Sequence, residues 1–112
     1  MSKENGRIVM DLGKSIVIKG DLIASEDLTL YGQMEGTVTL EGGHTLTIGR
    51  HADIRAAIDA KAVVVQGTVT GNITAREKLE IQTTGSVAGD VNSPRLAIAD
   101  GASLRGKVDV PR

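Results

Sequence analysis

The side chains best suited to chemistry lie between positions 41 and 55, in "EGGHTLTIGRHADIR". His44 and His51 are the only two histidines, and Glu41 and Asp53 stand close by. Imidazole nitrogens and carboxylate oxygens together form a ligand set for a divalent metal such as zinc. The same residues also suit a corner in water, because "GGHTL" and "GRHAD" both adjoin turn-forming glycine. That solvated-corner reading takes precedence. Arg50, His51, Asp53 and Arg55 form the densest polar group, readable as a knob for a protein partner or, preferentially, as a solvated loop. The acidic pair Glu26 and Asp27 shows no sign of a surrounding cleft, and no serine sits in a nucleophile motif. Neither GxGxxG nor GxxxxGK[ST] occurs, so no nucleotide loop is expected. The sequence therefore assigns no catalytic residue, cofactor or metal, and points away from an enzyme.

Composition narrows the class further. The chain has 112 residues, which suits one domain, and a formal net charge of −1. No broad basic field is present to draw nucleic acid or an acidic membrane surface, and no aromatic platform is available for bases. Cysteine is absent, which removes disulfides and thiolate metal sites and fits a reducing compartment. No apolar run approaches the roughly 20 residues that span a bilayer, and "MSKENGRIVMDLG" lacks a secretory core. A soluble, cytoplasmic protein is the expectation. Tyr31 is the one aromatic residue, so the interior must be filled by Val, Ile, Leu and Ala, and is expected to be narrow and uniform.

The elements that position these residues are repeats. An apolar–spacer–glycine–spacer–apolar motif returns as "IKGDL", "MEGTV", "IRAAI", "VTGNI", "VAGDV" and "LRGKV". Its central residues are Gly20, Gly36, Ala56, Gly71, Gly89 and Gly106, at steps of 16, 20, 15, 18 and 17. Between the copies runs an apolar–spacer–apolar motif: "LTL", "LTI", "VVV", "LEI" and "LAI", from Leu28 to Ile98. Each motif has period two, the mark of a strand with one buried face. Connectors such as "YGQ", "EGG", "QG", "TTGS" and "ADGAS" carry turn residues. The gap before the glycine motif is short after Leu30 and Val65, and two residues longer after Ile48, Ile81 and Ile98.

A pattern that returns in the same order every turn implies a β-solenoid in which like residues stack on like. Roughly six coils at about 4.8 Å give a rod near 30 Å long. Each motif glycine is expected to face inward between walls too close for a larger side chain. A positive backbone φ at a corner is the less favoured explanation.

Natural solenoids blunt their ends with caps, and little capping is visible here. Residues 1–13 read as a polar, flexible tail, residues 14–110 as the solenoid and residues 111–112 as a stub. Ile8, Val9 and Met10 form the one candidate lid or membrane segment. Bare ends favour end-to-end pairing, and pairing at both ends gives a filament rather than a closed dimer. A monomer or dimer whose ends the tail covers is the alternative.

The array from "IKGDLIAS" through "LTLYGQMEGTV", "LTIGRHADIRAAIDA", "VVVQGTVTGNITA" and "LEIQTTGSVAGDV" to "LAIADGASLRGKV" resembles the bactofilin family over about Lys14 to Val110. The resemblance implies an all-β, right-handed parallel β-helix of triangular section. It implies a bacterial cytoskeletal scaffold that forms non-polar filaments without nucleotide, head to head and tail to tail. Such scaffolds organise cell shape and localise cell-wall enzymes or other proteins, often on the inner face of the membrane. The terminal-coil residues Ile16, Ile18, Leu22, Leu96, Ile98, Leu104, Val108 and Val110 would form the polymerisation interface. Members often carry a Phe in the last coil. This chain has none, so Leu104, Val108 and Val110 would supply that contact. A non-polymerising solenoid adaptor for protein clients is the runner-up. A β-helix enzyme fits least well, because the gaps sustain no six-residue sub-period and no carboxylate-lined groove is evident.

Overall fold

The computed structural model describes residues 2–4, 7–11 and 17–109, with side chains from Ile18 onward. Every regular element among them is a strand. These are β1 (Ser2–Glu4), β2 (Arg7–Asp11), β3 (Val17–Ala24), β4 (Asp27–Tyr31), β5 (Gln33–Leu40), β6 (Thr45–Ile48) and β7 (Asp53–Val65). They continue as β8 (Thr68–Thr70), β9 (Ile73–Ile81), β10 (Ser86–Ala88), β11 (Val91–Asn92), β12 (Leu96–Ile98), β13 (Ser103–Arg105) and β14 (Val108–Asp109).

The chain winds round three faces, and each face is a parallel ladder. On the first face Ile8, Leu28, Leu46, Val63, Leu79 and Leu96 are successive register partners. On the second they are Ile18, Met34, Ile54, Val69, Val87 and Leu104. On the third they are Leu22, Val38, Ile58, Ile73, Val91 and Val108. The period-two pattern of the sequence is what allows this, since a slip of one residue would turn every aliphatic outward. The ladder takes in Arg7–Asp11, upstream of the boundary at Lys14 read from the sequence.

The core is the sum of these columns. Leu30, Ile48, Val65 and Ile81 lie one above another at 0% exposure. Each such side chain contributes about 1.5–3 kcal/mol on burial. Tyr31 takes no part in this core. Its ring lies beside Gly49 of the next coil, where a Cβ would overlap it. The overall extents are 36 × 28 × 24 Å.

The alternating corner lengths have a structural cause. After Ile81 and Ile98 the two additional residues close a turn, with Gly85 N–H donating to Gln82 O at 2.8 Å and Ala102 N–H to Ala99 O at 3.1 Å. After Ile48 the same turn forms between Ala52 N–H and Gly49 O at 3.2 Å. The coils stay in phase because the ladder bond just past each strand is kept: Gly49 N–H to Leu30 O, Gln66 N–H to Ile48 O and Gln82 N–H to Val65 O, all 2.8 Å.

The motif glycines correct the inward-packing expectation. Gly20, Gly36, Gly71, Gly89 and Gly106 all have φ between +122° and +144°, a region L side chains rarely adopt. A Cβ at Gly89 would meet the carbonyl oxygen of Gly71, and one at Gly71 the carbonyl oxygen of Ala56. The constraint is thus a positive-φ corner crowded along the stack by the backbone of the preceding coil, not by opposing core walls. Ala56, at the equivalent position in β7, is absent from the positive-φ residues, and its methyl is buried.

Candidate functional site

The polar residues singled out by type do not converge. His44 Nδ1 lies 3.2 Å from Asp27 Oδ1, one coil away, and the same oxygen accepts the Thr45 N–H at 2.9 Å. Asp27 thus ties two coils together at the corner carrying His44. His51 sits exposed with φ of 64°. Arg55 joins an outward ladder instead: its Nη1 is 3.9 Å from Glu35, which is 3.9 Å from Lys19 Nζ. Exposed pairs of this kind contribute about 0–1 kcal/mol each. Among the described residues no group of three or more His, Cys, Asp or Glu could hold a metal. A surface groove of about 300 Å³ along the third face is lined mainly by polar side chains, including Asn72, Asp90, Asn92 and Lys107.

The unusual surfaces are the two ends. Leu96 and Ile98 lie in β12, Leu104 in β13 and Val108 in β14, so the last rung of all three faces gathers these four residues at one end. Ile98 is 47% exposed, whereas its register partner Ile81 is at 0%. Val108 is 37% exposed, whereas Val91 is at 2%. The same aliphatic columns are sealed within the molecule and open where they stop. Among the described residues β12, β13 and β14 each pair on one side only. Their other edges face no described strand, and such an edge is a template for a further strand.

At the opposite end Ile18 and Leu22 occupy β3, whose described partner is β5 alone. Both are partly buried against the core, while Met34 and Val38 above them are at 1% and 0%. Among the described residues, a Cβ at Gly20 would meet nothing within 4 Å. The first face of this end differs. Ile8, Val9 and Met10 lie in β2, which pairs with β4 on one side and antiparallel with β1 on the other. Ile16 and Val110 fall outside the described residues.

Sequence reading missed Ala24 and Ala102, which also pack partly buried against the core at the two ends. Alanine at a motif edge carries little periodic signal. It also missed β1, although Asn5-Gly6 between β1 and β2 is the residue pair most favoured in two-residue hairpins.

A family model described as "Bactofilin: Polymer-forming cytoskeletal" matches residues 10–109. Bactofilin BacP of Myxococcus xanthus (strain DK1622) is 42% identical over 99 residues, covering 88% of this chain and 40% of BacP. Bactofilin BacO of the same organism is 40% identical over 99 residues, covering 88% of this chain and 77% of BacO. The matched region thus spans less than half of BacP and about three quarters of BacO. No solved structure matches.

Proposed function

Since the chain belongs to the bactofilin family of polymer-forming cytoskeletal proteins, we propose that it assembles end to end into filaments through its terminal rungs. Like ends meet like, head to head and tail to tail, which gives a polymer without polarity. Assembly needs no nucleotide, because the driving force is burial of aliphatic surface and pairing of open strand edges. The filament is a cytoplasmic scaffold that organises cell shape or positions cell-wall enzymes and other proteins.

The observation that carries this reading is the contrast along each column. Ile98 and Val108 are exposed where the residues one rung inward are sealed. A neighbouring rung from a second copy would restore the environment that Ile81 and Val91 already have. Membrane association through Ile8, Val9 and Met10 finds less support, because β2 is committed to the ladder with β4. Among the described residues no helix is long and apolar enough to cross a membrane.

Amide hydrogen exchange across a concentration series tests the interface. Amides of β12, β13 and β14 should gain protection as concentration rises, while those of β7 stay unchanged. Protection that instead rose on the outward side of one face would move the interface to the flank of the rod.

A further inference from the structure

We infer that β1 is a built-in competitor for the end that carries β3, and that it holds this end closed to a second copy until it is displaced. The inference rests on the proposed end-to-end assembly and adds an order to it: the ends carrying β12–β14 pair first, and the β3 ends pair only after β1 leaves.

Three observations carry it. The first is strand polarity. All the pairings between coils are parallel, and β1 on β2 is the sole antiparallel pairing among the described strands. β1 is therefore not another coil. It is a strand folded back across the edge that an incoming rung would need, while β3 beside it pairs with β5 alone among the described strands.

The second observation is register. Ser2, Lys3 and Glu4 pair with Val9, Ile8 and Arg7. Lys3 thereby joins the column of Ile8, Leu28, Leu46, Val63, Leu79 and Leu96. Six rungs of aliphatic residues end on a lysine. A lysine at the register position where an incoming apolar rung would stack is a recognised device against edge-to-edge association. No described strand covers the other end in this way.

The third is size. β1 has three residues, joined to β2 through two residues that suit a tight hairpin. A strand this short is marginal by itself. It covers one face of three, so it can delay docking and yet be displaced by a partner that offers three rungs at once.

Because the chain contains no cysteine, the strand can be locked and released in the full protein. Lys3→Pro removes a backbone donor and disfavours β1. Ser2→Cys with Val9→Cys places a thiol pair across β1 and β2, at Cα separations of about 4.5–5.5 Å for opposed antiparallel residues, within disulfide range. Assembly is read by pelleting and by light scattering. Lys3→Pro should lower the concentration at which polymer appears several-fold. The oxidised cysteine pair should stop assembly at two-copy particles, and reductant should restore longer polymer.

Val108→Arg, made alongside, separates the two levels of the account. If Val108→Arg abolishes polymer while the Lys3→Pro and oxidised proteins behave like the parent, end-to-end assembly stands and the gate is overturned. If the parent and Lys3→Pro proteins both remain single particles, end-to-end assembly fails and the gate with it.

Discussion

At the scale of single residues, the motif glycines separate two physical causes that sequence alone could not. Gly89 needs both a positive φ and clearance from the carbonyl of Gly71, whereas Gly20 needs only the φ. Alanine at either position should therefore destabilise, but unequally. Gly20→Ala is expected to cost about 1–3 kcal/mol from backbone strain. Gly89→Ala should cost more than that, because the clash is with backbone and cannot be relieved by a rotamer change. Thermal or urea unfolding of the two variants checks this, and equal losses would show that φ alone matters. The sequence pointed to these positions correctly but named the wrong constraint. A residue with no side chain gives no sign of which direction is crowded, and Ala56 at the equivalent position, without positive φ, does not reveal the φ of the glycines. The histidines were legible as corner residues, while the partner of His44 proved to be Asp27, a coil away, a pairing that needs the coil register.

At the scale of elements, the solenoid was legible because its cause is periodic. Two motifs of period two, alternating in fixed order, leave stacked coils as the arrangement that buries every aliphatic column. The longer corners after Ile48, Ile81 and Ile98 were visible as two additional residues, and each closes a turn. What stayed hidden was β1, because a three-residue strand has no periodicity to detect and signals itself only through Asn5-Gly6. Position within the stack also sets the cost of substitution. Ile48→Ala removes a fully buried side chain and should cost about 2–5 kcal/mol. Ile98→Ala, at a half-exposed position, should cost under about 1 kcal/mol in dilute protein and yet weaken assembly. Equal destabilisation in dilute protein would mean that the last rung is covered within one molecule.

At the scale of the whole molecule, the decisive feature is that a stack of like rungs has no natural place to stop. Interior rungs satisfy both their aliphatic surface and their backbone edges through neighbours above and below. Among the described residues the rungs formed by β12, β13 and β14 pair on one side only, and the flanks carry exposed mixed-sign pairs such as Lys61–Glu77 and Arg76–Asp59 that favour solubility over lateral aggregation. The proposed growth would thereby be confined to the axis. Family membership agrees with this, since the family is polymer-forming. The most direct test images the parent and Val108→Arg by negative-stain microscopy without nucleotide. An arginine buried in the apolar seam should cost at least about 3 kcal/mol, on the order of a 100-fold loss in association. The account predicts unbranched filaments from the parent and, from the variant, small particles with an unchanged circular dichroism spectrum. Long filaments from Val108→Arg, or solitary particles from the parent at high concentration, would contradict it.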